Sequence, residues 1–101
     1  MNVLGTGPSA VTTVALSGEI DIFSSAALRE RLLGVLRGSS RLLVLDLSAV
    51  SFCDTSGLGV LVGIQRRARL MGITLALTGA LPYMTQLLHT TGLDRRLPTL
   101  I

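Results

Sequence analysis

The sequence predicts an α/β domain on a mostly parallel sheet. Two patterns point there. Short runs rich in Leu, Val and Ile alternate along the chain with longer segments whose apolar residues recur at helical spacing. Turn and helix-end residues, among them Gly5, Gly38, Gly72 and Pro82, fall at the joints between these segments. Composition agrees. The 101 residues suffice for one core and are too few for two. A hydrophobic fraction of 49% with 15% charged residues excludes a disordered chain, and with only 3% aromatics the core has to be built from Leu, Val, Ile and Ala.

Taken in order, Met1 to Leu4 reads as an edge strand before a Gly5 to Ser9 turn, and Val11 to Leu16 as the next strand. Ser24 or Ser25 suits the cap of a first helix, in which Leu28, Leu32, Val35 and Leu36 share one face and Gly38 ends the run. Residues 42 to 47, Leu-Leu-Val-Leu-Asp-Leu, have the mostly apolar character of a strand covered on both faces. Ser48 to Cys53 are then expected to carry the chain out of the sheet. A second helix runs from Ser56, with Leu61, Ile64, Ala68 and Met71 at helical spacing and Gly72 as its stop. Ile73 to Leu77 gives a further strand and Thr78 to Leu81 a turn. Pro82 fits the first turn of a third helix whose core contacts are Met84, Leu87 and Leu88. Leu97 to Ile101 reads as a last short strand, parallel to the others, so that four to five strands are expected in all.

Chemistry concentrates in Asp54-Thr55-Ser56-Gly57-Leu58-Gly59-Val60-Leu61-Val62-Gly63, an acid and two hydroxyls between a strand and a glycine-rich helix. Asp54, Thr55 or Ser56 can accept a bond from an unpaired N–H group of the first turn. Those N–H groups and the positive end of the helix dipole also suit an added phosphoryl group. For a single hydroxyl at a helix start, plain capping is the favoured reading. Gly57 and Gly59 shift the balance, because each costs about 0.5–1 kcal/mol relative to alanine inside a helix and bares the backbone to an approaching molecule. Leu58, Val60, Leu61, Val62 and Ile64 are apolar around most of the circumference, as expected of a helix buried on more than one side or shared with a partner.

With Leu-Val-Leu-Asp-Leu-Ser and Val50-Ser51-Phe52-Cys53 before it, the Asp-Thr-Ser-Gly-Leu-Gly-Val run resembles the anti-sigma-factor antagonists, bacterial members of the STAS fold. Leu16-Ser17-Gly18-Glu19-Ile20-Asp21 is similar to that family's acidic turn after an early strand. Gly72-Ile73-Thr74-Leu75 and Leu88-His89-Thr90-Thr91-Gly92-Leu93 extend the resemblance over roughly residues 10 to 97. It implies a single STAS-type domain over 1 to 101, with a four- to five-stranded, mostly parallel mixed sheet and helices mainly on one side. It also implies Thr55 as phosphoacceptor, with Ser56 second, and a partner surface of Asp21, Asp54, Thr55, Ser56, Gly57, Leu58, Gly59 and Val62. Serine is the commoner residue at the position of Thr55. The implied mechanism is partner switching: the unphosphorylated form binds an anti-sigma factor that is also a serine/threonine kinase and frees a sigma factor. Phosphorylation ends the interaction and a phosphatase restores it. Weak self-association is compatible with the resemblance. Family members often carry another helix beyond the point where this sequence stops.

Other readings fare less well. A net charge of +3 comes from nine arginines that appear dispersed in sequence, without interleaved aromatics or a nucleic-acid-binding signature, so no nucleic-acid partner is expected. The lone Cys53 excludes an intramolecular disulfide, fits a reducing cytoplasm and reads as a packing residue. No apolar run has the ~18 residues of a membrane span, nor is there a leader pattern, so a cytoplasmic protein is expected. One histidine, His89, with one cysteine makes neither a zinc site nor a nucleophile–base pair, and Gly57 to Gly63 lacks the Gly-Lys-Ser/Thr ending of a P-loop. Neither catalysis nor a cofactor or metal is expected. The alternative function is a STAS scaffold, never phosphorylated, in a stress-sensing or transporter-associated complex.

Overall fold

The computed structural model describes residues 11–38 and 41–97. Its elements alternate as β1 (Val11–Ile20), α1 (Ser25–Gly38), β2 (Leu42–Cys53), α2 (Thr55–Leu70), β3 (Thr74–Thr78) and α3 (Pro82–Thr90), followed by a 3₁₀ turn at Leu93–Arg95. The described strands form one parallel sheet in the order β1-β2-β3. Alternation of strands and helices produces this arrangement, since parallel neighbours need a crossover, and here a helix supplies it. Three strands are seen where four to five, in a mixed sheet, were expected. The expected edge strand at Met1 to Leu4 and most of the expected strand at Leu97 to Ile101 lie outside the described residues; Leu97 is described, buried and not in a strand.

Side-chain alternation assigns the two faces of the sheet. Val14 and Leu16 of β1, Leu43, Leu45 and Leu47 of β2, and Leu75 and Leu77 of β3 join one core cluster. The same cluster holds Leu32 and Leu36 of α1, Leu61, Ile64 and Ala68 of α2, and Met84 and Leu88 of α3, so the helices pack on one face, as expected. That core is aliphatic apart from Met84 and Cys53, in keeping with the scarcity of aromatic residues.

Two strands run further than their apolar patterns indicated. β1 continues to Ile20 and β2 to Cys53, so Ser48 to Cys53 stay in the sheet instead of leaving it. The extension is irregular, with register shifts between Ala15 and Ser17 and between Gly18 and Glu19. These breaks disrupt the period of two, which hid the strand: Val50 and Cys53 are both buried although they are three apart. Gly18 occupies the left-handed region, at φ 80°, in the irregular segment.

The helix ends also have local causes. Gly72, at φ 74°, terminates α2, and the Ile73 N–H reaches back to the Ala68 carbonyl at 2.8 Å. Met71, expected on the core face, is 43% exposed because the helix ends just before it. Pro82 opens α3 as expected. Ser24 takes the cap position of α1, its carbonyl accepting from the Leu28 N–H at 3.0 Å, but its side chain does not cap the first turn. The Ser24 hydroxyl turns back, donating to the Glu19 carbonyl at 3.0 Å and accepting from the Asp21 N–H at 3.0 Å.

Candidate functional site

Parallel pairing sets Ile20 opposite Cys53, so β1 and β2 finish side by side. The Asp54 N–H then donates to the Ile20 carbonyl at 3.1 Å. This register brings the two acidic turns, at Asp21 and Asp54, to one end of the sheet although they are far apart in sequence. That end lies at the carboxyl ends of parallel strands, where open α/β sheets most often present their sites.

Of the three candidate caps, Asp54 takes the role. Its backbone is extended, and its Oδ1 accepts from the Ser56 N–H at 2.8 Å and the Gly57 N–H at 3.2 Å. Thr55 is therefore the first residue of α2, one position earlier than expected, and it is exposed; Ser56 is half-buried. Two of the unpaired N–H groups at the helix start, those of Ser56 and Gly57, are thus already bound by a carboxylate.

The two glycines of the first turn serve different ends. A Cβ at Gly57 would stand 2.6 Å from Ile20 Cγ2 and 2.7 Å from Cys53 Sγ. Gly57 is buried where α2 crosses the ends of β1 and β2, and its missing side chain permits that approach instead of baring the backbone to a partner. Gly59 is exposed, and a Cβ there would meet nothing within 4 Å, so only this glycine matches the open-backbone expectation. Leu58, also expected in the partner surface, is 3% exposed and belongs to the core; Val62 is half-buried.

Asp21 organises the other turn. Its Oδ1 accepts from the Phe23 N–H at 2.9 Å and the Ser24 N–H at 3.1 Å, while its carbonyl accepts from the Ser25 N–H at 2.9 Å. The tight turn thrusts out two residues that the sequence reading passed over, Ile22 at 69% and Phe23 at 91% exposure. Phe52, 47% exposed and just before Cys53, lies at the same end of the sheet. The signal for them was present: Ile22 and Phe23 are apolar residues between an acidic turn and a helix start, outside either repeating pattern.

Cys53 is a packing residue. Burial first, and the neighbouring Asp54 charge second, push its thiol up to about 11, which keeps it protonated and unreactive near neutral pH. Beside it the Tyr83 hydroxyl donates to the Val50 carbonyl at 2.6 Å, tying α3 to the extended part of β2. His89 is exposed near the C-terminal end of α3, and its Nδ1 lies 3.0 Å from Asp94 Oδ2. Among the described residues no group of three or more His, Cys, Asp or Glu side chains could hold a metal ion, and no helix is long and apolar enough to cross a membrane.

The STAS domain family pattern matches residues 5–100. Over 80 residues the chain is 35% identical to the anti-sigma-B factor antagonist of Bacillus subtilis, spanning 79% of this chain and 72% of that protein. It is 37% identical over 57 residues to the anti-sigma-F factor antagonist RsfB of Mycobacterium tuberculosis, spanning 56% of this chain but only about half, 47%, of that protein. The crystal structure of an anti-sigma factor antagonist from Mycobacterium paratuberculosis superimposes with a TM-score of 0.75 at 32% identity, covering 97% of this chain and 83% of the other. The two acidic turns, the parallel sheet and these likenesses agree, and the chain belongs to the STAS domain family.

Proposed function

We propose that this protein is an anti-sigma factor antagonist, switched by phosphorylation of Thr55. The observation that carries the reading is the exposed Thr55 at the first position of α2, next to the Asp54 cap and at the end of the sheet where Ile22, Phe23 and Phe52 are exposed. The names of the relatives supply the class of partner. In this reading the docking surface combines Asp21, Asp54, Thr55, Ser56, Gly59 and Val62 with the apolar Ile22, Phe23 and Phe52. Gly57 and Leu58 support it from below. An exposed aromatic side chain in a polar turn has the composition of an interface anchor.

The partner is an anti-sigma factor with serine/threonine kinase activity, a phosphatase resets the switch, and both are met in the cytoplasm. Thr55 is preferred to Ser56 because it is the more exposed, while Ser56 is half-buried with its N–H held by Asp54. The phosphate acts at the surface. A charge near −2 about 7 Å from a partner carboxylate is opposed by about 1 kcal/mol at the dielectric of water and about 5 kcal/mol at an effective value of 20, which spans roughly tenfold to several-thousandfold in affinity. Because Asp54 keeps its two capping bonds, the backbone of the first turn changes little.

The test is incubation of the purified protein with candidate anti-sigma kinases and ATP, followed by mass spectrometry and calorimetry. Thr55→Ala abolishes labelling, and the phosphorylated protein loses anti-sigma binding. Phe23→Ala weakens that binding without lowering thermal stability. Labelling that persists in Thr55→Ala moves the site to Ser56, and failure of every anti-sigma kinase of the source genome to label the protein sinks the reading.

A further inference from the structure

The arginines that look dispersed along the sequence converge in the structure. Arg29 and Arg37 on α1 line, with Arg66 and Arg67 on α2, a groove of about 370 Å³ between the two helices. Its accessible apolar surface comes from the half-buried Leu33 and from Leu70 and Met71, which are 84% and 43% exposed, while Leu36 and Ile64 are fully buried beneath it. On the other side of α2, Arg66 and Arg69 border a second hollow, of about 450 Å³, with Arg95 and Arg96. Seven of the nine arginines thus surround one end of α2. Among the described residues the only acid–base contact at ion-pair distance is His89 with Asp94, so none of these guanidinium groups has a carboxylate of those residues within that distance.

Helix-dipole compensation accounts for part of this pattern. Arg37 lies in the last turn of α1, and Arg67 and Arg69 in the last turn of α2, where a cation is favoured. Arg29 stands nearer the start of α1, where the dipole gives a cation no advantage, yet it lines the same groove. Gly63 points the same way. It costs α2 helix stability, a Cβ there would meet nothing within 4 Å, and its missing side chain widens the groove wall.

We infer that the α1–α2 groove is a second docking site, which receives an acidic, partly apolar helical segment of a partner protein. Guanidinium groups on both walls match carboxylates in paired hydrogen bonds, and Leu33, Leu70 and Met71 accept apolar side chains from between those acids. A flat anionic membrane reaches the rim but does not fill a recess between two helices. About 17 Å of helix separates Arg66 from Thr55, so this site stands independently of the phosphorylation reading.

The experiment measures fluorescence anisotropy of a labelled twelve-residue peptide with glutamates along one helical face and leucines along the other. Saturable binding is expected, weakening with added salt. Arg37→Glu with Arg66→Glu should reduce affinity about tenfold or more, and Gly63→Leu, which fills the groove without changing charge, should reduce it several-fold. Arg31→Glu with Arg41→Glu makes the same change in net charge outside the groove and should act much more weakly. Far-ultraviolet circular dichroism and melting temperature establish that each variant is folded. Equal loss in the two double variants, equal binding of a peptide with lysine for glutamate, or retention on phosphatidylglycerol vesicles with no binding of the acidic peptide would each overturn the proposal.

Discussion

At Gly57, in the first turn of α2, an added methyl group would run into Ile20 and Cys53; at Gly63, two turns further along, it would meet open space. The first glycine lets helix and sheet touch, and the second leaves a gap in a groove wall. Charge divides the same way. The first turn sits against Asp54 with Asp21 at the same sheet end, while the last two turns carry Arg66, Arg67 and Arg69. One helix therefore presents an acidic, tightly packed end carrying a single exposed hydroxyl and a basic, open end. Similar residues in one apolar run thus take their meaning from what lies across from them.

The contrast is open to direct test. Gly57→Ala is expected to destabilise by about 1–3 kcal/mol, through overpacking against Ile20 and Cys53. In a domain of about 100 residues each kcal/mol lowers the melting temperature by roughly 4–8 °C, so calorimetry will resolve the change. An unchanged melting temperature would mean that α2 can lift away from the strand ends.

Alkaline titration probes the same contact. The folded Cys53 thiol is raised to about 11 from an ordinary 9.0, so its contribution is fully present below pH 9 and is lost as the pH rises from 9 through 11. That contribution is at most about 3 kcal/mol, at about 1.4 kcal/mol for each pH unit between the two values. The burial of Tyr83 acts in the same direction, which makes the difference between wild type and Cys53→Ala the informative quantity. Melting curves between pH 8 and 11 should fall more steeply for the wild type.

Asp54→Ala removes the acceptor of two first-turn bonds and should cost about 1–2 kcal/mol in urea denaturation. Thr55→Ala, at an exposed non-capping position, should change stability by no more than about 0.5 kcal/mol. Comparable losses in the two variants would show that the threonine shares the cap. Of opposite sign, Gly59→Ala and Gly63→Ala should each stabilise the protein by about 0.5–1 kcal/mol, because they gain helix propensity without meeting a neighbour. Destabilisation at Gly59 would place that position in contact with the strand ends, as at Gly57.

Where the apolar period is regular, the sequence was legible. Val14 and Leu16, Leu43 to Leu45 with Leu47, and the Leu61, Ile64 and Ala68 face of α2 are buried as their spacing indicates. Gly72 and Pro82 mark helix boundaries through local backbone chemistry. Reading failed where a partner strand overrides the period, as at Ser48 to Cys53, and where a neighbour decides whether a glycine means contact or space. Ile22 and Phe23 escaped notice because they obey neither period, and a tight turn exposes them. The arginines looked scattered because residues on α1 and α2 meet only when the helices pack side by side.

The sequence by itself determined the alternation of strands and helices, the aliphatic core and the acid-hydroxyl-hydroxyl junction, since these follow from hydrophobic period, composition and adjacent residues. Tertiary structure alone decided that Asp54 is the cap, that Thr55 rather than Ser56 is the more exposed hydroxyl, that Gly57 is a contact and Gly63 an opening, and that arginines from two helices share one groove. The physical reason is range. Propensity and period act between residues a few positions apart, whereas exposure, close approach and charge clustering depend on which distant segments the sheet register and helix packing bring together.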